Sequence, residues 1–209
     1  MAITIRNADA IYPFHGLVIH NELVTRPMSD DDLRSAYYSY VPSSRSNSLN
    51  IYLRADLKGL KKLPTRPFIV LYETTPSNGH WVLIHDTIDS KGKVSIEFFD
   101  SYGSAPDTQQ KFIARQFEDM LRDPTVNLLR LLWNGTDGRV IFNDHRLQGR
   151  ESSTCGRHCI ARLIGGKMDI DAYADRLLKI ADSLKTTPDI IVAYAIPPVE
   201  GGCLPCQSY

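Results

Sequence analysis

The residue types best suited to chemistry lie in one stretch, Leu147-Gln148-Gly149-Arg150-Glu151-Ser152-Ser153-Thr154-Cys155-Gly156-Arg157-His158-Cys159-Ile160. A polar, glycine-containing loop runs into Cys155, and Ile160, Ala161, Leu163 and Ile164 follow at helical spacing. With Ser153 or Thr154 as N-cap, Cys155 stands in the first turn of a helix. Unpaired backbone N–H groups and the positive end of the helix dipole favour a thiolate there, which makes the cysteine a better nucleophile. The same N–H groups can bind the oxyanion of a tetrahedral intermediate. A packed cysteine opening a core helix has the same signature, because free cysteine is among the most buried residue types. Position alone leaves both readings open.

A thiol nucleophile needs a general base within hydrogen-bond reach and a group that orients that base. The histidines are His15, His20, His80, His85, His145 and His158. His80 opens an expected strand directly after Gly79, so it is held on a rigid element and remains accessible. A hairpin turn centred between Ser90 and Lys91 sets residue 101 opposite His80, one position past Asp100 and within the uncertainty of such a turn. Cross-strand neighbours lie roughly 5 Å apart at Cβ, so Asp100 could accept the Nδ1–H of His80 and fix its tautomer. His158 shares the helix of Cys155 but has no evident acid and reads as a surface residue. His145 lies in the approach loop and ranks third, and mid-strand His85 would need another partner. Gln148, seven positions before Cys155, offers the kind of side-chain N–H that an oxyanion hole uses beside a backbone N–H.

These residues need strands and helices to position them. Ser29 followed by Asp30, Asp31 and Asp32 predicts a helix reaching about Tyr40. Strands are expected at 17–19, 51–53, 67–73, 80–85, 94–100 and 140–142, with turns at 76–79 and 89–92. Phe112, Ile113, Phe117, Met120 and Leu121 predict one apolar face of a helix from about Ala105, whereas 127–133 is ambiguous between strand and helix. An amphipathic helix from Asp169 to about Leu184 points Tyr173, Leu177, Leu178, Ala181 and Leu184 inward, and Thr187-Pro188 starts another. Strands and helices are segregated along the chain. That argues an α+β fold, with a mixed, mainly antiparallel central β-sheet packed between helices and a central helix opened by Cys155.

The 209 residues suit a single domain over 1–209, with a flexible tail from about 199. Lys+Arg 24 balances Asp+Glu 24, so bulk charge gives no reason to expect nucleic acid or an anionic membrane. Lys58, Lys61, Lys62 and Arg66 form a local basic run that reads as a solvated loop. No apolar run approaches the roughly 20 residues of a membrane span, and no secretory leader is evident, so free thiols in a reducing, intracellular setting are expected. Cys203-Leu204-Pro205-Cys206 is a CxxC which, with Cys155 and Cys159, could be imagined as a four-cysteine zinc set. The first pair lies on a helix and is otherwise explained, so neither metal nor cofactor is expected, and Cys159 reads as packed core.

Gly79-His80-Trp81, Phe98-Phe99-Asp100-Ser101, and Gln148-Gly149 through Ser152-Ser153-Thr154-Cys155-Gly156 together resemble the motifs of adenovirus endopeptidase. The wider group includes the SUMO-specific proteases. The adenovirus branch is the more similar, because its Gln-Gly is also followed by a short polar loop before Cys-Gly. The resemblance covers roughly residues 67 to 165. It implies a papain-like site on an adenain-type topology, with Cys155 as nucleophile, His80 as base, Asp100 as its orienter, Gln148 as oxyanion donor and Trp81 packed beside them. It implies a cysteine endopeptidase, a monomer that processes viral capsid or precursor proteins after Gly-Gly or Gly-X sites. An activating peptide or DNA stays open. Its place would be the host cell, in the cytoplasm or virus factory, with packaging in the virion. A deubiquitinase-like or deSUMOylase-like isopeptidase, an acetyltransferase on the same scaffold and a non-enzymatic binding module are the alternatives. Leu163-Ile164-Gly165-Gly166 closes the expected central helix, and Val199-Glu200-Gly201-Gly202 offers a self-cleavage site after Gly202 that would remove the CxxC tail.

Overall fold

Ser29 caps the first helix as its sequence predicts. Its hydroxyl accepts from the Asp32 N–H at 3.1 Å, and its own N–H donates to the Asp32 carboxylate at 2.9 Å, a complete capping box. Helix α1 (Asp30–Tyr40) buries Leu33, Ala36 and Tyr37 and ends at extended Val41. The computed structural model describes residues 22–41, 48–89, 91–123, 125–136 and 140–197. The expected strand at 17–19, the loop from Ser43, the Gly201-Gly202 pair, Cys203 and Cys206 lie outside the described residues.

Strands β1 (Asn50–Leu53), β2 (Phe68–Thr75), β3 (Asn78–Ile88), β4 (Val94–Phe99) and β5 (Val140–Phe142) lie side by side in sequence order. The central pairs, β2–β3 and β3–β4, are antiparallel, and the short outer pairs, β1–β2 and β4–β5, are parallel. The remaining helices are α2 (Glu118–Leu121), α3 (Leu128–Gly135), α4 (Cys155–Ile164), α5 (Ile170–Ser183) and α6 (Pro188–Ala195). The fold is α+β, with helices packed on an open mixed sheet. The central strands carry buried apolar runs, Phe68–Tyr72, Trp81–Ile84 and Phe98–Phe99, because both faces are covered there. Ile69, Leu71, Trp81, Leu83 and Phe99 pack with residues of α1, α4, α5 and α6. Phe68, Val70, Val82, Ile84 and Phe98 pack with Leu128, Leu131 and Leu132 of α3.

Helix α4 is fixed to the sheet by a buried ion pair. Arg162 donates to Glu97 of β4 through Nε at 2.9 Å and Nη2 at 2.7 Å, and reaches the Thr87 hydroxyl and the Gly166 and Met168 carbonyls. His85 Nε2 stands 3.4 Å from Glu97 Oε1. Burial opposes the Glu97 charge, but the contacts with His85 and Arg162 outweigh it and hold the carboxyl at about 2.

The fold departs from expectation in three places. The helix expected from Ala105 is broken into 3-10 turns at Thr108–Phe112 and Arg115–Phe117 followed by α2. The Ala114 N–H donates to the Thr74 carbonyl of β2 at 2.9 Å, so the backbone there follows the strand instead of its own helix, and Phe112 and Met120 are exposed. On α5, Leu178 and Leu184 are exposed, and Ile170 and Ala174 are buried beside Tyr173, Leu177 and Ala181. The β3–β4 ladder pairs Leu83 with Phe99 and Ile84 with Phe98, one residue from the expected register, and stops there. Continued, it would set Tyr102, not residue 101, opposite His80. The backbone partner of His80 is Tyr72 on β2. The ambiguous 127–133 segment is helical, because the Asn127 side chain caps α3 by accepting from the Arg130 N–H at 2.6 Å.

Candidate active site

Cys155 is the first residue of α4 and Thr154 its N-cap, but the Thr154 hydroxyl makes no capping bond and donates instead to Asp189. Two glycines bring the elements of the site together. A Cβ on Gly156 would lie 3.1 Å from Leu33 Cδ2 and from Met28 Cβ, so glycine lets α1 close onto α4. A Cβ on Gly79 would lie 2.0 Å from the Tyr72 carbonyl oxygen, so only glycine can precede His80 on this ladder. Trp81 is buried and donates its indole N–H to the Met28 carbonyl at 2.9 Å.

His80 reaches Asp100 as a diagonal neighbour beyond the end of the ladder, Nε2 to Oδ1 at 2.8 Å. The expected contact forms, through the other ring nitrogen from the one expected. Nε2 meets the carboxylate, which leaves Nδ1 as the ring nitrogen available to Cys155. Burial disfavours the His80 cation, but hydrogen bonds to Asp100 and Cys155 outweigh it and lift the imidazole to about 10. Burial also opposes the Cys155 thiolate, yet the His80 hydrogen bond and charge, with backbone hydrogen bonds from Trp81 and Gly156, bring the thiol below its ordinary value. Cys159, one turn on, is fully buried with its sulfur 3.6 Å from the Trp81 carbonyl, and burial pushes its thiol well up.

Asp100 is fully buried and amply hydrogen-bonded. Beside His80 it accepts from the Tyr102 N–H at 2.8 Å and the Gln109 amide at 2.6 Å, while Asn143 donates to its backbone carbonyl at 2.7 Å. The Tyr102 ring stacks on His80 with centroids 4.7 Å apart. Gln148 is buried: its Oε1 accepts from the Ser101 hydroxyl at 2.6 Å, and its Nε2 donates to the Ser152 carbonyl at 2.9 Å and the Tyr102 hydroxyl at 3.3 Å. The structure therefore bonds His80 to Asp100 and sets His80, Cys155 and Gln148 on the wall of one cleft, with His80 and Cys155 each favouring the other's charged form. Sequence reasoning missed Ser101, Tyr102, Gln109 and Asn143. The first two were signalled only by adjacency to Asp100, and the others carry no local signal.

The other histidines take different partners. His158, expected at the surface without an acid, is fully buried and bonds Asp189 of α6 through Nε2 at 3.2 Å. It was misplaced because α6, which supplies the acid, lies more than twenty residues further on. His145 bonds Asp171 at 2.8 Å. Asp144, His145 and Asp171 bring ligand atoms within 4.8 Å of one another, but the two carboxylates are exposed and the arrangement is an ordinary surface ion pair.

The cleft holds about 1560 Å³. Its lining includes Ser29, Asp30, Asp32, Ile51, Leu53 and Asp56 as well as Tyr102, Arg146 and Arg150. Among the described residues, no helix is long and apolar enough to cross a membrane.

No family model matches the sequence. The chain is 30% identical over 128 residues to "Uncharacterized protein V9" of Sputnik virophage, an alignment spanning 59% of this chain and 69% of that protein. At that identity and coverage, the chain belongs to the family of the V9 protein of Sputnik virophage.

Proposed function

We propose that this chain is a cysteine endopeptidase of the adenovirus endopeptidase type, with a papain-like site on an adenain-type topology. The observation that carries the reading is the Asp100–His80 hydrogen bond on the wall of a cleft that also holds Cys155 at a helix N-terminus, where imidazole and thiol favour each other's charged forms. The paired charges of His80 and Cys155 supply a thiolate at neutral pH. The sulfur attacks the scissile carbonyl. First-turn N–H groups of α4 and the Gln148 amide receive the oxyanion, Gln148 exchanging its longer bond to Tyr102 for the one to substrate. The proton of His80 goes to the leaving amine. Water, deprotonated by His80, then opens the acyl-enzyme and regenerates the pair.

A cleft of about 1560 Å³ exceeds the roughly 300–1,000 Å³ of small-molecule sites and suits an extended polypeptide. A virophage protein among the relatives supports viral structural or precursor proteins as substrates, processed inside the host cell or in the virion. Incubation with Leu-x-Gly-Gly peptides, with SUMO- and ubiquitin-linked substrates and with acetyl-CoA tests the reading. Peptide hydrolysis that falls roughly a thousandfold or more in Cys155→Ala supports it. Acetyl transfer or isopeptide cleavage alone, or no turnover of any of them, contradicts it.

A further inference from the structure

One buried carboxylate outside the triad holds both ends of the loop between Gln148 and Cys155. Asp189, in the first turn of α6, accepts the Gly149 N–H at 2.8 Å on Oδ2, next to Gln148. Its Oδ1 accepts the Ser152 hydroxyl at 3.0 Å and the Thr154 hydroxyl, next to Cys155. The fit is close, since a Cβ on Gly149 would lie 3.1 Å from Asp189 Oδ2. His158, one turn into α4, completes the cluster through Nε2 at 3.2 Å, while its buried Nδ1 has no hydrogen-bond partner. Burial opposes the Asp189 charge, and hydrogen bonds from His158, Thr154 and Gly149 hold it below the ordinary carboxylate range.

We propose that the Asp189–His158 pair is a positioning device for the oxyanion loop, so that Asp189 governs stabilisation of the tetrahedral intermediate and not activation of the thiol. The inference rests on the endopeptidase reading. The Gln148 amide is aimed by its bond to the Ser152 carbonyl, and Ser152 is tied by its hydroxyl to Asp189. Thr154, bonded to the same oxygen, fixes where α4 begins and hence where the Cys155 N–H points. One carboxylate thus sets the separation of the two oxyanion donors. The thiol-activating partners are held from the sheet side: Asp100 is bonded by Tyr102, Gln109 and Asn143, none of which bonds Asp189. Oxyanion binding and thiolate formation should therefore come apart on mutation. A buried imidazole with one unpaired nitrogen is costly, and its remaining bond is the one to Asp189.

The test compares wild type with Asp189→Asn, His158→Gln and His158→Leu. Three readouts are needed: kcat and KM on a Leu-x-Gly-Gly peptide, inhibition by a peptide aldehyde ending in glycinal, and iodoacetamide alkylation of Cys155 across pH. The aldehyde forms a thiohemiacetal whose oxygen needs the oxyanion hole, whereas alkylation needs only the thiolate. Asp189→Asn is expected to lower kcat by about tenfold to a hundredfold and weaken the aldehyde by a similar factor. KM and the alkylation profile should stay within about twofold of wild type, since neither draws on the oxyanion hole. His158→Gln, which keeps an N–H donor, should retain most of kcat, and His158→Leu should follow Asp189→Asn. If Asp189→Asn melts out at assay temperature, Ser152→Ala and Thr154→Val carry the same comparison. Full kcat and aldehyde affinity in these variants, or a parallel loss of alkylation, overturns the positioning role. If wild-type Cys155 alkylates like an ordinary thiol and hydrolyses nothing, the endopeptidase reading fails and takes this inference with it.

Discussion

His80 and Cys155 lie on different elements, and each stabilises the charged form of the other. The imidazole is raised to about 10 and the thiol lowered from its ordinary value, the directions that a thiolate–imidazolium pair requires. The fast alkylation such a pair supports should persist below the ordinary thiol range, whereas peptide hydrolysis, which needs the imidazolium to protonate the leaving amine, should fade on the alkaline side as His80 loses its proton at about 10. Asp100→Asn removes the charge facing Nε2 and should lower kcat/KM by roughly 10²–10⁴-fold with the fold intact by circular dichroism. Retention of full activity would show that Asp100 is only a packing residue. At this scale much of the site was legible. The polar loop and helix start singled out Cys155 but fitted a packed cysteine equally well, and the hairpin brought His80 near Asp100. Which imidazole nitrogen faces which partner was not legible, because that depends on how the strand ends splay past the last ladder pair. Gln109 was hidden within what read as an amphipathic helix.

Among the elements, α4 depends most on a single interaction. Arg162 and Glu97 are both fully buried, and removing one partner strands the other charge. Arg162→Met is expected to cost about 3–5 kcal/mol in denaturant unfolding. A loss under 1 kcal/mol would show that the pair does not anchor the helix. The folded Glu97 pKa is depressed to about 2, so its contribution is fully present above the ordinary carboxylate value and is lost as pH falls towards about 2. Acid titration of Glu97→Gln should accordingly show a shallower fall in stability through that window than wild type. The capped helices were readable because Ser29, Asp169 and Thr187 act locally. The segment from Ala105 to Leu121 was not, because its break comes from a backbone bond to β2, more than thirty residues earlier.

Across the whole molecule the formal charge of +0 conceals a polarity. The lining of the cleft gathers the acids Asp30, Asp32 and Asp56, the last just after β1 at one edge of the sheet, and the bases Arg146 and Arg150, in the segment that follows β5 at the other edge. A peptide with lysines on one side of the scissile bond and glutamates on the other should be cleaved severalfold faster in one orientation than in the reverse, and added salt should shrink the difference. Equal rates in both orientations would mean that the walls do not read charge. The α+β class followed from the segregation of strands and helices along the chain. This polarity did not, because it depends on which loops the fold gathers around one opening. The proposed chemistry rests on Cys155, and Cys159, whose thiol burial pushes up, serves as an internal control. Iodoacetamide labelling of the native protein between about pH 5 and pH 8, read by mass at each cysteine, is the most direct test. The thiolate–imidazolium pair predicts fast labelling of Cys155 below pH 7, lost in His80→Ala, with Cys159 unlabelled. Labelling of Cys155 only above about pH 8, like a free thiol, would contradict it.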